Sequence, residues 1–300
     1  MTRNELQRSQ IIHGCMRIAN LPTSEASTLI NTALDVGINF FDHADIYGKG
    51  QAEEVFGRAM KTASIAREKL IIQTKCGIRP GYYDFSQEHI IDSVNSSLKR
   101  LQTEYVDVLL LHRPDTLVEP EEVAEAFTKL QASGKVRAFG VSNQNPLQME
   151  LLSRFMEQKI IFNQVQFGLV HTGIVDFGLN VNLKNEPAIN RDGGVLEYCR
   201  LKEITIQAWS PLQHGFIEGV FINNPQFAHL NEPLEEMAVS KGITSAALAI
   251  AWILRHPAKM QPIVGTTNTR HLKEISEATK VELSREEWYQ LYRAAGNKLP

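Results

Sequence analysis

The chain has 300 residues, 43% apolar and 22% charged, and its net charge of −3 shows no basic surplus of the kind that nucleic-acid or anionic-lipid binding requires. No apolar run approaches the roughly 20 residues needed to span a bilayer, and the polar start, residues 1–8, lacks the apolar core of a secretory signal. Three scattered cysteines suit a reducing cytoplasm and predict neither a disulfide framework nor a metal site.

Short strand-like runs alternate with helical patterns along the chain. The predicted strands are 11–15, 39–42, 70–75, 106–111, 138–141, 162–165, 205–209 and 261–264. The predicted helices are 24–36, 52–60, 86–101, 120–133, 146–156, 194–200, 245–255 and 270–279.

This alternation predicts parallel strands joined by right-handed crossovers. Eight such units over residues 1–300 are the number in a closed (β/α)8 TIM barrel, and we expect a single domain. An open doubly wound sheet is the alternative, but the sequence lacks its usual Gly-x-Gly-x-x-Gly turn. Residues 168–193 and 211–233 show no helical period, which predicts long loops after strands on the C-terminal face, where barrel active sites form.

Four ionisable residues stand where strand-like runs end. Asp42, Lys75 and His112 follow the second, third and fourth strands, and Tyr47 lies in the loop after Asp42. In a barrel these ends converge, so we expect the four side chains to meet. Asp42 would keep Lys75 charged, Lys75 would lower the pKa of Tyr47 so that it donates a proton, and His112 would orient a carbonyl. Taken singly, each residue also fits a structural role, such as a salt bridge or a core histidine.

Several segments together resemble the aldo-keto reductase family over about residues 11–278. The matching segments are 41–48 (FDHADIYG), 135–143 (KVRAFGVSN), 163–166 (NQVQ) and 209–212 (WSPL), with Lys75 and His112 at the other catalytic positions. The resemblance implies a (β/α)8 barrel, a nicotinamide cofactor bound without a Rossmann domain, and reduction of aldehydes or ketones.

The resemblance also implies a set of cofactor contacts. Ser142, Asn143 and Gln164 would hydrogen-bond the nicotinamide carboxamide, although Ser142 and Asn143 could instead cap the helix at 146–156. Trp209 would stack on the nicotinamide ring, unless it is a core residue at the barrel mouth. Ser210 and Leu212 would run beside the pyrophosphate.

The segment after the last strand would hold the 2′-phosphate and adenine ends. Its candidate residues are Gly265, Thr266, Thr267, Arg270 and Glu274. Many members have Lys-Ser where this chain has Gly265-Thr266, and Glu-Asn where it has Glu274-Ile275. The hydroxyls and Arg270 can still bind a phosphate, so the sequence favours NADP(H) but with less positive charge than usual.

The sequence therefore predicts a cytoplasmic, NADP(H)-dependent carbonyl reductase acting on a small-molecule carbonyl substrate. No nucleic acid, membrane or metal partner is expected, and the oligomeric state stays open, a monomer being one option. Arg113 could attract an acidic substrate or pair locally with Asp115. The alternatives are an NADPH-binding regulatory or sensor subunit with little turnover, and a Schiff-base aldolase using Lys75. The aldolase is disfavoured because a carboxylate partner keeps a lysine protonated and non-nucleophilic.

Overall fold

Eight parallel strands form a closed barrel in the computed structural model, which describes residues 8–299. Residues 1–7 of the polar start lie outside the described part, as does Pro300. The strands are β1 Ile12–Gly14, β2 Phe40–Asp42, β3 Ile71–Cys76, β4 Val106–Leu111, β5 Val136–Ser142, β6 Ile160–Gln166, β7 Thr205–Trp209 and β8 Gln261–Val264. Each pairs in parallel with its neighbours, and β8 closes on β1.

Helices connect successive strands. The α-helices are α1 Thr23–Asp35, α2 Gln51–Thr62, α3 Gln87–Leu101, α4 Pro120–Ala132, α5 Pro146–Phe155, α6 Gly173–Leu179, α7 Val195–Leu201, α8 Ala228–Ser240, α9 Ser245–Leu254, α10 Thr269–Ser276 and α11 Arg285–Ala294. Short 3₁₀ helices span Met16–Asn20, Tyr47–Gly50, Arg67–Lys69, Glu186–Ala188, Pro225–Phe227 and Glu277–Lys280.

Apolar side chains fill two regions, one around the barrel and one inside it. The larger cluster joins strand residues to the inner faces of the helices. The smaller cluster consists of strand residues, among them Ile12, Phe40, Ile71 and Phe162. Every residue of β3 and β4 is buried, which explains the apolar runs at residues 70–72 and 108–111, because a parallel strand in a barrel is covered on both faces.

All eight predicted strands are confirmed, and β4, β7 and β8 have the predicted bounds. Each predicted helix is also present within one or two residues at either end, except that the last, 270–279, divides into α10 and a 3₁₀ turn. The closed barrel excludes the open-sheet alternative.

The prediction that 168–193 and 211–233 lack helices is partly wrong, because both stretches contain helical residues. Helix α6 lies in the first, and its seven residues include two glycines, too few for a visible helical period. Helix α8 begins inside the second and accommodates Pro233. It buries Leu230, Leu234 and Met237, which lie on one helical face and hold the helix despite the missing backbone donor. Helix α11 was not predicted.

No single helix within residues 8–299 is long and apolar enough to cross a membrane. Two consecutive helical segments, Pro225–Ser240 and Ser245–Leu254, reach the necessary length and apolar composition only when they are taken together, and a bend of 89° separates them. In the second segment, α9, all residues from Ala247 to Ile253 are buried in the core of the protein.

Candidate active site at the C-terminal end of the barrel

A cleft of about 1180 Å³ opens where the strands end. All the predicted site residues line it except Lys75, which is buried beneath it, and Arg270, which lies outside. The predicted residues in its wall are Asp42, Tyr47, His112, Ser142, Asn143, Gln164, Trp209, Ser210, Leu212, Gly265, Thr266, Thr267 and Glu274. The cleft thus reaches from the ends of β2 and β4 across the barrel to the first turn of α10.

Lys75 joins the predicted catalytic group. Its ammonium donates hydrogen bonds to Asp42 Oδ2 at 2.8 Å, to the His43 carbonyl at 2.8 Å and to the Tyr47 hydroxyl at 3.0 Å. The side chain of Lys75 is fully buried, and that of Asp42 nearly so. Since these groups come from β2, β3 and the loop between β2 and α2, the barrel brings together the three residues as predicted.

The turn after β2 aims the Tyr47 side chain at Lys75. Backbone bonds tie the turn to the barrel: the Asp45 amide donates to the Lys75 carbonyl at 3.0 Å, and the Tyr47 amide to Ala44 at 3.1 Å. Gly48 has a φ of 58°, and a Cβ there would lie only 2.7 Å from that of Ala19. Glycine is therefore required next to the tyrosine.

Burial opposes the predicted direction of the Tyr47 pKa. Burial raises it, the charge of Lys75 and its hydrogen bond pull it down, and the net pKa is raised. The prediction that Lys75 brings this pKa below its ordinary value is wrong for the protein without ligand, because loss of solvation outweighs the nearby cation. Tyr47 is consequently a neutral phenol at neutral pH and carries a proton.

Lys75 itself is charged. Burial alone would lower its pKa, but Asp42 and Tyr47 together reverse this, and the net pKa is raised. A protonated lysine is not a nucleophile, which argues against the Schiff-base alternative.

His112 completes the group as a neutral imidazole. Burial lowers its pKa well below the usual range, and the charges of Lys75 and Arg113 lower it further. Its ring meets that of Tyr47 edge to face, with centroids 6.0 Å apart, and its Nδ1 has no hydrogen-bond partner among the described residues. A neutral imidazole can donate one N–H to a carbonyl oxygen without adding a charge.

Two buried glutamines that were not predicted, Gln73 and Gln207, join Asp42 and the predicted Gln164 in one hydrogen-bonded group. Gln73 donates to Asp42 Oδ1 at 2.5 Å, and Gln164 donates to the same oxygen at 3.1 Å. Gln207 accepts from both amides, at 2.9 Å from Gln73 and 3.1 Å from Gln164. Spacing along the strands could have identified them. Gln73 is two residues before Lys75 on β3, and Gln207 is two residues before Trp209 on β7, so the side chains of each pair point to the same face of the sheet.

At the predicted nicotinamide end, the Trp209 indole N–H donates to Asn143 Oδ1 at 3.2 Å. Asn143 in turn donates to Ser142 Oγ at 2.7 Å, and Ser142 Oγ donates to the Gln164 carbonyl at 3.0 Å. Asn145, not Ser142 or Asn143, caps α5 with a complete capping box. The helix-cap explanation of Ser142 and Asn143 is therefore wrong, and their side chains line the cleft.

At the predicted phosphate end, the backbone from Gly265 to Thr267 lines the cleft before α10 begins. Asn268 caps that helix by accepting from the Arg270 and His271 amides. Arg270 is 76% exposed and lies 3.6 Å from Glu274 in an ion pair. Arg17, which was not predicted at this end, lines the same wall, and its guanidinium donates to the Gly265 carbonyl at 3.0 Å.

Arg113 lies at the opposite end of the cleft, beside His112. Its guanidinium carbon is 5.8 Å from the Trp209 ring centroid and 5.9 Å from that of Phe216. Asp115 instead accepts from the backbone amides of Phe85 and Leu117. The suggested local ion pair of Arg113 with Asp115 is not formed, and Arg113 makes no salt bridge within residues 8–299.

Comparison with known proteins gives a consistent picture. The model of the aldo/keto reductase family matches residues 10–295. The chain is 35% identical to 6-dehydroglucose reductase of Agrobacterium fabrum, covering 98% of this chain and 97% of that protein. It is 34% identical to oxidoreductase YdhF of Escherichia coli, with coverage of 96% and 93%. An aldo-keto reductase from Klebsiella pneumoniae, solved in complex with NADPH, superposes with a TM-score of 0.78 at 27% identity, covering 97% of this chain and 92% of that one.

Proposed function

We propose that this chain, which belongs to the aldo/keto reductase family, reduces an aldehyde or ketone with NADPH and uses Tyr47 as the proton donor. The observation that carries this proposal is the fully buried Lys75 ammonium, which is hydrogen-bonded at once to Asp42 and to the Tyr47 hydroxyl at the floor of the cleft. The 6-dehydroglucose reductase and YdhF are both oxidoreductases by name.

The cleft fits a dinucleotide and a small substrate together. Its volume of about 1180 Å³ exceeds the roughly 300–1,000 Å³ of sites for drug-sized ligands. Ser142, Asn143 and Gln164 would bind the carboxamide of the nicotinamide at one end. The nicotinamide ring would stack on the face of Trp209 beside them. Arg17 and the hydroxyls of Thr266 and Thr267 would hold phosphates at the other end. When bound, NADPH supplies the hydride that reduces the carbonyl carbon.

The chain's own residues would then handle the proton. Tyr47 is protonated, since burial raises its pKa, and it can pass its proton to the oxygen that becomes an alkoxide. Lys75, 3.0 Å from the hydroxyl, stabilises the tyrosinate left behind, and Asp42 keeps Lys75 charged. His112, neutral and beside Tyr47, would donate a hydrogen bond to the same oxygen and fix its direction.

At the substrate end, Arg113 has no carboxylate partner within residues 8–299. Its guanidinium lies over the rings of Trp209 and Phe216, and Ile46, Ile78 and Phe216 make the adjoining wall apolar. We infer that carbonyl compounds with an anionic group are preferred over neutral ones of the same size, because an arginine can pair with a carboxylate in two parallel hydrogen bonds.

The test is Tyr47→Phe. We expect NADPH binding, followed by tryptophan fluorescence, to stay near that of the natural chain, and carbonyl reduction to fall by at least ~10²-fold, the usual contribution of a positioned acid. Activity is measured with a panel of aldehydes, ketones and quinones as substrates, from the loss of NADPH absorbance. Retention of more than half the rate, with chemistry rate-limiting, would remove Tyr47 from this role. NADPH binding without reduction of any panel member would instead favour the sensor alternative.

A further inference from the structure

One layer of the barrel interior is polar where aliphatic side chains are usual. TIM-barrel interiors are filled mainly by Val, Ile and Leu, and the layer toward the N-terminal end follows that rule with residues such as Ile12, Phe40 and Ile71. The next layer holds Asp42 and three glutamines, Gln73, Gln164 and Gln207, all of them buried. Removing amides and a carboxylate from water is costly unless each finds partners, so this layer needs an explanation.

The four side chains form one connected network across the barrel. Besides the bonds described above, Gln207 returns a hydrogen bond to Gln73 Oε1 at 3.1 Å. Gln73 and Gln207 thus exchange two bonds across the barrel axis, from β3 to β7. Asp42 receives amide donors on Oδ1 and the Lys75 ammonium on Oδ2. Hydrogen bonds thus hold both carboxylate oxygens of Asp42, which fixes the direction in which the carboxylate faces Lys75.

Gln164 belongs both to the polar layer and to the wall of the cleft. Its amide nitrogen is used within the layer, by Asp42 and Gln207, while the residue also lines the cleft at the expected amide end. Its orientation is therefore decided by Gln207 and Asp42, because an amide whose N–H₂ has two fixed acceptors must turn its oxygen the other way.

We propose that Gln73 and Gln207 are positioning residues for the reduction: Gln73 holds the Asp42 carboxylate directed at Lys75, and Gln207 fixes Gln73 and Gln164 in one orientation. This inference rests on the proposed function, since it explains how the proton-donating group is maintained. Neither glutamine is among the residues that line the cleft. The network predicts that the two residues act on different quantities, Gln73 on the rate of reduction and Gln207 also on NADPH affinity.

The Gln73 arm uses a change that can be reversed by pH. In Gln73→Glu an ionised carboxylate would face Asp42 Oδ1, whereas the protonated acid could again donate a hydrogen bond. Burial and the adjacent Asp42 carboxylate would raise the pKa of a glutamate at this position above its ordinary value, so that it ionises only at higher pH. We expect the ratio of variant to natural kcat to fall by tenfold or more as the pH rises through that pKa, the order of a hydrogen bond to a charged group. The ratio should recover on acidification, with the carbonyl KM little changed.

The other titratable groups near the layer are the same in the Gln73→Glu variant and the natural chain. Asp42, Lys75, Tyr47 and His112 lie toward the cleft, and Arg8 lies toward the N-terminal end, where its guanidinium reaches Thr205 Oγ1 at 2.9 Å. These groups are present in both proteins, whereas an ionisable group at residue 73, coupled to Asp42, is present only in the variant, so the pH dependence of the rate ratio reports on that pair.

Gln261→Met is the matched control. Gln261 is a buried glutamine of β8, as exposed as the layer's members to within a few per cent, but its amide donates to the Ser9 carbonyl at 2.8 Å, away from Asp42. Gln73→Met and Gln207→Met should lower the melting temperature about as much as Gln261→Met does. Only the first two should lower kcat, and only Gln207→Met should weaken NADPH binding, by about threefold to tenfold, the worth of one neutral hydrogen bond.

Three outcomes separate the possibilities. The Gln73 and Gln207 variants could have lowered melting temperatures but the same kcat, pH profile and NADPH affinity as the natural chain. The layer would then have only a structural role, and the inference would be overturned. If the natural chain reduces no carbonyl, the proposed function fails, and NADPH affinity in Gln207→Met against Gln261→Met still decides whether the layer orients Gln164. A rate ratio of Gln73→Glu that does not rise on acidification would also refute the role of Gln73.

Discussion

Replacing Lys75 with Met measures how much the buried ion pair with Asp42 contributes to the free energy of unfolding. In the natural chain the two groups are 2.8 Å apart and almost completely shielded from water. The variant would leave the carboxylate without its cation, and breaking a buried pair in this way costs about 3–5 kcal/mol of unfolding free energy. Because Gln73 and Gln164 still donate to Asp42, we expect the lower end, about 3 kcal/mol.

The matched control is Lys280→Met. Lys280 also lies 2.8 Å from a carboxylate, that of Glu277, but the side chains are 69% and 46% exposed. An exposed pair contributes only about 0–1 kcal/mol, since water solvates both charges when they separate. The two variants thus differ in burial at equal distance, and urea unfolding of the protein without ligand, followed by tryptophan fluorescence, compares them directly.

A second substitution tests the cause. In Lys75→Met with Asp42→Asn no charge remains to be buried, so the double variant should regain much of the loss, and the cycle of four proteins should show strong coupling between the two sites. Equal destabilisation by Lys75→Met and Lys280→Met, or additive effects in the cycle, would refute the reasoning that desolvated charge dominates here.

Three further results are expected. Arg113→Met should lower kcat/KM for a carboxylate-bearing aldehyde by about tenfold more than for its neutral ester, and equal losses would reject the anion preference. Arg270→Ala should weaken NADPH binding about tenfold and NADH binding little, because Arg270 would exchange its exposed ion pair with Glu274 for one with the 2′-phosphate. Parallel changes in the two dissociation constants would reject this role. Burial lowers the pKa of His43 to about 3, so between an unfolded value of about 6.5 and about 3 only the unfolded chain binds the proton. Unfolding free energy should therefore fall by up to about 1.4 kcal/mol per pH unit on acidification, and urea titrations of His43→Met should show a smaller slope.

Local pattern was sufficient for the barrel and for most of the site. Apolar runs such as residues 108–111 identified the strands, since a parallel strand buried on both faces favours apolar side chains on both. Once the strands were known, the convergence of their C-terminal ends placed Asp42, Lys75 and His112 together. The segments shared with the aldo/keto reductase family supplied the residues of the cleft from Ser142 to Thr267, although their roles there remain predictions.

Other features depended on distances and burial that no local pattern encodes. The direction of the Tyr47 pKa required the balance between loss of solvation and the Lys75 charge, and that balance is decided by how many atoms surround the hydroxyl. Helix α8 contains Pro233, and packing of its apolar face outweighs the local preference against a helix.

By itself, then, the sequence indicated the strands, the closed barrel and the grouping of Asp42, Tyr47, Lys75 and His112, because each follows from periodicity and from residues at strand ends. Only the tertiary structure decided which side chains are partners across the barrel. Gln73 and Gln207 are 134 residues apart along the chain, and Arg17 reaches Gly265 over 248. Such contacts form because closure of the sheet brings distant strands face to face, and the cost of burying a polar group then selects the partner that satisfies it.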